Sequence, residues 1–313
     1  MMKRRSYKLI ISLLLMAAGL GVPLAQENDT WVVPHILNTN RMEWMPVPDL
    51  KEEGWLEKVL AVHPATGAKM RILYIPPGWI DKTGINERHF TEYREWGLVL
   101  FGDLPFCTYT DPSDDTCDLV IQSQGLYVER PRYQIHGTEG PQRTAEFKLP
   151  VSKTGYVSFA WRERQGAIYY LHRPTEERFL TMDKSQFRPA RYIQTNEMDW
   201  QPHPTLKGWL IKPLSLPDDD MIKVSIVDMP AGWVDQPNLG KPVKVQNHEF
   251  RYVLSGEMPL WYYKRADQRE PESVMLQDGY FVHLPPGAVL GAGQQPPSRT
   301  GCAFLQIIRY DLR

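Results

Sequence analysis

The sequence predicts an all-β protein in which two similar β-barrels follow a short N-terminal export segment. Three observations predict this fold class. The 313-residue chain contains an internal duplication that spans most of its length. Each copy consists of short β-branched and aromatic segments separated by Pro, Gly and Asp, which is the pattern of strands and turns. No stretch has the apolar periodicity of an amphipathic helix of ordinary length, and a short helix is expected only within residues 174–190.

The first 25 residues have the composition of an export signal. The apolar run Leu9–Ala25 follows a basic start formed by Lys3, Arg4, Arg5 and Lys8, which is the order typical of a signal peptide. Cleavage is expected after Ala25 or after Gly21, and an uncleaved membrane anchor is the alternative. We therefore expect an exported protein, periplasmic or extracellular, with no membrane contact beyond this segment.

The charge of the remaining chain excludes some partners. Removing residues 1–25 takes away four of the 36 basic residues and none of the 37 acidic ones, which leaves a net charge of −5. A weakly acidic chain disfavours nucleic acid and anionic membrane surfaces as partners. With 27 Pro, 22 Gly and 42% hydrophobic residues, the composition indicates a globular chain rich in turns.

The internal repeat is visible in local matches and in a constant offset. The segment Asn40–Trp44 (NRMEW) recurs as Asn196–Trp200 (NEMDW). After a deletion of two residues the offset settles at 154, so that Glu95 matches Glu249. The same offset relates Gly102 to Gly256, Gly125 to Gly279 and Pro131 to Pro285. So many matches at a single offset indicate that the chain arose by an internal duplication.

The duplication sets the predicted domain boundaries. We assign residues 26–172 to barrel 1, 173–194 to a polar linker and 195–313 to barrel 2. The first copy has predicted strands at 70–75, 95–101, 125–129 and 156–161, and the second has them at 222–229, 250–256, 258–263, 280–284 and 303–310. Many short strands with regular turns are typical of a sandwich or barrel. We expect the two barrels to pack through their related sheets.

The three cysteines fit an oxidising compartment. Cys107 and Cys117 flank a polar loop, so a disulfide that closes a local hairpin is expected. Cys302 lies in the apolar run CAFLQII and is expected to be a buried thiol. The absence of a CxxC pair excludes a zinc ribbon and a thioredoxin-type motif.

The spacing of residues in the first copy resembles the two motifs of the cupin superfamily, whose members are small jelly-roll barrels. The first motif places two His one residue apart, followed by Glu and Gly; this sequence has His89, Thr91, Glu95 and Gly102 at those positions. The second motif is Gly, five residues, Pro, one residue, Gly, two residues and His; Gly125, Pro131, Tyr133 and His136 fall at those four positions. The segment Ile75–Trp79 (IPPGW) is similar to one found in ChrR-type cupins. The resemblance implies a bicupin, with two tandem jelly-roll barrels.

This resemblance implies a metal site in the first barrel, with His89, Glu95 and His136 as ligands. Two His and one carboxylate are the donor set of non-heme Fe(II) oxygenases, and the same donors suit a divalent ion of Fe, Mn, Zn, Ni or Cu. Thr91 departs from the family pattern, which has a third His there. Under the alternative interpretation the two His are hydrogen-bonded groups of a partly buried pocket, and Glu95 serves a hydrogen bond or the strand register.

The second copy keeps the frame of the motifs without their ligands. Val243, Val245 and Leu290 stand at the three His positions, although Glu249 and Gly256 remain. Valine and leucine offer no lone pair to a metal, so this barrel is expected to be metal-free, filled and structural.

Three functions are consistent with this sequence. The first is an exported metal-dependent enzyme, dioxygenase-like, that acts on a small organic substrate. The second is a binding or sensing cupin that holds a small-molecule ligand without turnover, and the third is a structural duplicate whose barrels serve a homodimer. The fold alone does not choose among them, because cupins host many activities.

Overall fold

A computed structural model describes residues 32–51, 53–81, 87–114, 116–137, 152–171, 176–233, 241–265, 268–291 and 298–310. The predicted export segment, residues 1–25, lies outside the described residues. Within the described ranges no helix is long and apolar enough to cross a membrane.

The described residues are predominantly β-structure, as the sequence predicts. One short helix, α1 (Glu176–Leu180), lies inside the interval where a helix was expected, and short 3₁₀ turns cover Thr39–Arg41, Pro48–Leu50, Lys184–Gln186 and Thr195–Glu197. The strands, in chain order, are β1 (His35–Asn38), β2 (Met45–Pro46), β3 (Leu56–Val62), β4 (Lys69–Ile75), β5 (His89–Thr91), β6 (Glu95–Tyr109), β7 (Asp118–Ser123), β8 (Leu126–Arg130), β9 (Ile135–His136), β10 (Tyr156–Arg162), β11 (Ile168–Tyr170), β12 (Arg191–Gln194), β13 (Gln201–Pro202), β14 (Leu210–Pro213), β15 (Ile222–Met229), β16 (Val243–Lys244), β17 (His248–Tyr263), β18 (Glu272–Gln277), β19 (Tyr280–Leu284), β20 (Val289–Leu290) and β21 (Cys302–Arg309).

The strands form two antiparallel sheet systems, one for each copy of the repeat. The first has 11 strands with the central order β11-β5-β9-β6-β10-β4-β3-β2, and β7, β8 and β12 pair beside this path. The second has ten strands with the central order β1-β19-β17-β21-β15-β14-β13, and β16, β18 and β20 pair beside it. Strands β4, β6, β8 and β10 of the first system correspond to β15, β17, β19 and β21 of the second.

Each barrel receives one strand from the other half of the chain. Strand β1 precedes the first copy but pairs with β19 of the second, with His35 opposite His283. Strand β12 precedes the second copy but pairs with β8 of the first, with Arg191 opposite Glu129. The strand that we assigned to the end of the linker therefore belongs to the first sheet, and residues 35–38 belong to the second sheet although they lie within the predicted first domain.

The exchange explains two of the repeated residues. Gly125 and Gly279 both have positive φ, at 83° and 79°, a conformation that glycine adopts without steric cost. A Cβ on either glycine would come within 2.5–2.7 Å of the side chain of Asn196 or Asn40, which follows the exchanged strand. These glycines and asparagines therefore recur in both copies because the exchanged strand packs against the turn at this point.

The two sheets bury a common core. Phe159 of the first sheet packs against Tyr252 and Phe281 of the second, with ring centroids 5.2 and 6.2 Å apart. All three belong to one cluster of buried residues that includes side chains from both copies. The expected packing of the barrels through their related sheets is thus seen in a continuous apolar interface, which removes a large hydrophobic area from water.

A partly buried ion pair crosses the same interface. The Arg94 guanidinium lies 2.6 Å from the Glu129 carboxylate of its own barrel and 2.5 Å from the Asp219 carboxylate of the other half. Burial raises the pKa of Asp219, but the hydrogen bond and charge of Arg94 outweigh burial, and the net effect holds this pKa below its usual value. Breaking such a pair leaves a buried charge without its partner, which strongly destabilises a fold.

The cysteines behave as the sequence predicts. Cys107 and Cys117 form a disulfide that closes the loop between β6 and β7. Cys302 is a buried thiol, and burial raises its pKa to about 12, so it is not a reactive thiolate near neutral pH.

We expect the two barrels to unfold as one unit, because exchanged strands and a shared core couple them. Differential scanning calorimetry of the protein should give a single transition whose calorimetric and van't Hoff enthalpies agree. Two resolved transitions would contradict the coupling. As a control, Asp219→Asn should lower the midpoint while it keeps a single transition.

Candidate functional site

The structure brings the three predicted metal ligands close together inside the first barrel. His89 lies on β5 and His136 on β9, directly opposite each other in the strand register. Their rings are 4.3 Å apart between centroids. Glu95 begins β6, and its nearer carboxylate oxygen is 3.6 Å from Nε2 of His136. Both His side chains are buried.

Backbone carbonyl groups fix the tautomer of the two imidazoles. Nδ1 of His89 lies 2.6 Å from the Glu87 carbonyl oxygen, and Nδ1 of His136 lies 3.0 Å from the Gln134 carbonyl oxygen. A carbonyl only accepts, so each Nδ1 donates its hydrogen and Nε2 carries the lone pair. Burial, reinforced by the nearby His89 and Arg130, lowers the pKa of His136 well below its usual value. His136 is therefore neutral at physiological pH, with Nε2 as an acceptor.

The donor chemistry suits a metal ion, but the three donors do not converge on one point. Two ligands about 2.1 Å from an ion and about 110° apart are about 3.4 Å from each other, so the 3.6 Å between His136 and Glu95 fits a shared ion. In the described ranges, however, no three His, Cys, Asp or Glu side chains form a group that could hold an ion. The Thr91 hydroxyl donates to the Tyr93 carbonyl, and Thr91 is not among the residues that line the cavity with the three candidate ligands. Ion binding would therefore require a side-chain rearrangement.

The three residues line a cavity of about 270 Å³ inside the first barrel. This volume is just below the range of about 300–1,000 Å³ typical of small-molecule sites. Further polar side chains line the same cavity, among them Gln122, Arg130, Tyr156 and Ser158. The Tyr156 hydroxyl donates to Oε1 of Gln122 at 3.0 Å. The interior of this barrel is thus a polar pocket with apolar walls.

The second barrel is apolar at the same positions. Leu276 stands where the first barrel has Gln122, Leu284 where it has Arg130, and Phe304 where it has Ser158. These three side chains are fully buried in the apolar core of the second barrel. Val243 and Leu290 likewise replace His89 and His136. The second barrel is packed with apolar residues at these positions. The fold itself therefore does not require the polar groups of the first barrel.

The repeated glutamate has different surroundings in the two copies. The Glu249 carboxylate accepts hydrogen bonds from Nε of Arg251 and Nε2 of Gln306, each at 2.7 Å. Burial raises the pKa of Glu249, but Arg251 and Gln306 outweigh burial and hold it below its usual value. Gly97 and Ala160 occupy the positions of Arg251 and Gln306 in the first barrel. The Glu249 carboxylate is thus satisfied by hydrogen bonds inside its barrel, whereas the Glu95 carboxylate lines a cavity and lies near His136.

The backbone of the second motif is preserved although its glycine is replaced. Tyr133 has a φ of 66°, and within the described ranges no other non-glycine residue has positive φ. A bulky residue in this conformation is strained, by about 1–3 kcal/mol. Its backbone N–H donates to the Thr91 carbonyl at 2.8 Å. The tight turn that precedes His136 therefore forms even without glycine.

Sequence reasoning missed Gln122 and Arg130. Neither belongs to a recognisable motif, and the sequence showed no cationic anchor at the motif positions. A comparison of the copies at the offset of 154 would have found both, because each is polar where its counterpart is leucine. The sequence spacing also gave no sign of a histidine cluster in the second barrel, where Nδ1 of His248 lies 2.8 Å from Nε2 of His283 and His283 is opposite His35.

Comparisons with known proteins give structural matches only. No family model matches the sequence, and no curated protein is significantly similar to it. Among solved structures, YlbA from E. coli matches with a TM-score of 0.54 and 9% identity, over 90% of this chain and 94% of that one. A serine-to-alanine mutant of oxalate decarboxylase OxdC from Bacillus subtilis matches with a TM-score of 0.55 and 13% identity, over 90% of this chain and 78% of that one. An arginine-to-alanine mutant of the same enzyme gives 0.51 and 13% over the same shares.

Both matched proteins are tandem cupins. This chain has the tandem cupin fold. The predicted fold class of two jelly-roll barrels is therefore confirmed, whereas a special relation to ChrR-type cupins stays a prediction. At identities of 9–13% the comparison concerns the fold and not the activity.

We expect the buried neutral His136 to make stability depend on pH. Its pKa is about 6.5 in the unfolded chain and well below this in the folded state. The unfolded state therefore binds more protons below pH 6.5, and the free energy of unfolding falls on acidification, by at most about 1.4 kcal/mol per pH unit for one such group. Urea unfolding at pH 7 and pH 5 measures the loss.

The control for this prediction is His136→Leu, which installs the residue of the second barrel. His283, whose pKa is lowered to about 4 by burial together with His248 and His35, contributes in the same direction and remains in the variant. We expect a smaller, non-zero pH effect in His136→Leu. An unchanged difference between pH 7 and pH 5 would contradict the neutral state of His136.

Proposed function

We propose that the first barrel binds a small organic molecule and that the second barrel supports it structurally. The observation that carries this proposal is the difference between the copies at the repeated glutamate. Arg251 and Gln306 fill the second barrel beside Glu249, while Gly97 and Ala160 leave a cavity beside Glu95. Polar groups line this cavity at positions where the same fold is stable with apolar ones. A buried polar group costs free energy unless it is hydrogen-bonded, so these groups indicate a ligand.

The chemistry of the site follows from the neutral imidazole of His136. Nε2 of His136 can accept a hydrogen bond or a proton from a bound molecule, and the Glu95 carboxylate lies 3.6 Å away. A base of this kind positions a hydroxyl or takes up its proton when the ligand pKa allows it. Binding without turnover needs no further group, whereas catalysis needs a reacting atom within hydrogen-bond distance of Nε2.

A divalent metal ion is the second candidate occupant, and it would make the site that of a metal-dependent, dioxygenase-like enzyme. The two Nδ1–H groups donate to backbone carbonyls, which is the usual orientation of metal-binding His, and the spacing of His136 and Glu95 fits two ligands of one ion. His89, Glu95 and His136 would hold the ion, which would supply Lewis acidity to a bound ligand. OxdC shares the fold and is an oxalate decarboxylase by name, which supports this candidate by analogy only.

We also propose that the protein is exported to the periplasm or the cell exterior. The basic and apolar pattern of residues 1–25 supports this, and so does the disulfide between Cys107 and Cys117, since disulfides persist in oxidising compartments. A homodimer stays a prediction from the resemblance.

Filling the cavity should abolish ligand binding without unfolding the protein. The double variant Gly97→Arg with Ala160→Gln copies the second barrel, and a Cβ at Gly97 would meet its nearest neighbour at 3.8 Å, an ordinary contact. We expect a midpoint of thermal unfolding equal to or above that of the wild type, because the introduced arginine pairs with Glu95. In a fragment screen by ligand-observed NMR, fragments that bind the wild type should lose their signal. Equal binding by both proteins would contradict the proposed site.

The metal candidate is tested separately by titration. Chelator-treated protein is titrated with Mn²⁺ and Zn²⁺ in a calorimeter, and the metal proposal predicts one ion per chain. His136→Leu should abolish binding, and Glu95→Gln should weaken it at least tenfold. His203→Leu, outside the first barrel, is the matched control and should bind as the wild type does. Equal binding by His136→Leu would rule out this ion site.

A further inference from the structure

We propose that the ligand of the first barrel is a small organic acid whose carboxylate is held by Arg130 and Gln122. This inference rests on the proposed function of the first barrel and adds the chemical class of its ligand. It depends on the hydrogen-bonding groups of the cavity wall, which are present in the first barrel and absent from the second.

Part of the cavity wall carries buried hydrogen-bond donors that have no partner among the described residues. Two buried nitrogen atoms of lining residues, Nε of Arg130 and Nε2 of Gln122, have no hydrogen-bond partner among the described residues. The indole Nε1 atoms of Trp55 and Trp161, which also line the cavity, lack a partner as well. All four atoms are donors, so a ligand that satisfies them must present acceptors. A carboxylate offers two oxygens and about four acceptor positions.

Arg130 differs from two other cations of the cavity wall. Lys69 and Arg71 are each paired with Glu57, at 2.7 and 2.8 Å. Arg130 lies opposite Glu95 in the strand register, but in the described part of the chain no carboxylate forms an ion pair with it. Its guanidinium instead stacks on the Phe106 ring, 4.6 Å from the centroid. Arg130 is half-buried and its Nε is fully buried. A guanidinium in this position favours an anion, and its planar fork matches a carboxylate with two parallel hydrogen bonds.

The orientation of Gln122 supports the same ligand. This side chain is only 1% exposed, and the Tyr156 hydroxyl donates to its Oε1. With the oxygen occupied, Nε2 is the group left for a ligand. Phe106 links the two ends of the site, because its ring contacts Arg130 on one side and lies 5.7 Å from the His136 ring. A carboxylate at Arg130 and Gln122 therefore places the rest of a small molecule near His136.

The fold itself does not require Arg130 and Gln122. The second barrel has Leu284 and Leu276 at their positions, both completely buried. A half-buried cation and a buried amide without hydrogen-bond partners cost stability at positions where leucine suffices. A ligand that pairs with them removes this cost in the bound state. The cavity of about 270 Å³ restricts the ligand to a small molecule.

The test is a fragment library in which every small carboxylic acid is matched by its primary amide, for example benzoate with benzamide and succinate with succinamide. Binding to the wild type, Arg130→Leu and Gln122→Leu is measured by ligand-observed NMR titration. Both substitutions copy the second barrel, so folding is expected and is checked by thermal unfolding. Arg188→Leu removes an equal charge from an exposed position and serves as the matched control.

We expect acids to bind the wild type at least tenfold more tightly than their amides. Arg130→Leu should lose this preference, Gln122→Leu should reduce it, and Arg188→Leu should keep it. The inference is wrong if the amides bind as well as the acids, if Arg130→Leu retains the affinity for acids, or if no acid binds. When fragments bind without preference for acids and the double variant Gly97→Arg with Ala160→Gln abolishes their binding, the proposed function stands and the ligand class alone fails.

Discussion

The reciprocal exchange of strands β1 and β12 is the constraint on which the rest of the molecule depends. Each sheet is completed by a strand that precedes the other copy, and the exchanged strands end beside the glycine turns at Gly125 and Gly279. Because each copy supplies a strand to the sheet of the other, a substitution in either exchanged strand affects the packing of both copies. The aromatic contacts of Phe159 and the ion pair of Arg94 with Asp219 add to this dependence.

This dependence explains how one copy can be specialised while the other is closed. The second barrel satisfies its buried glutamate internally and fills its interior with leucine and phenylalanine. The interior of the first barrel is left with donors and acceptors that do not satisfy each other. The filled interior of the second barrel is an apolar core of its own, beside the common core of the two sheets, and its burial stabilises the chain that also carries the polar cavity.

Much of the fold was predictable from sequence, because it is expressed in local patterns. The constant offset of 154 gave the duplication, short β-branched segments gave the strands, and the spacing of Cys107 and Cys117 gave the disulfide. The strand exchange was not predictable, because the pattern of β1 shows that it is a strand and not which sheet it joins. Pairing partners that lie far apart in the sequence, such as His35 and His283, are chosen by tertiary packing.

The candidate site was predictable in part. The motif spacing placed His89, Glu95 and His136 in one barrel, and the structure brings them together. The motif spacing could not show whether the three donors converge on one point, because this depends on side-chain rotamers and on the carbonyls that orient each imidazole. Arg130 and Gln122 were missed because a motif search asks which residues a family shares. Arg130 and Gln122 stand out only when the two copies are compared, because leucine occupies both equivalent positions in the second barrel.

The exchange also bears on the symmetry of the molecule. In this chain the leading strand of each copy completes the sheet of the other copy and not its own. Two identical single-copy chains would reproduce this pairing by swapping their leading strands around a two-fold axis, and their two interiors would then have to be the same. Because both copies lie in one chain here, the arrangement of a strand-swapped dimer is kept while one interior is polar and the other apolar.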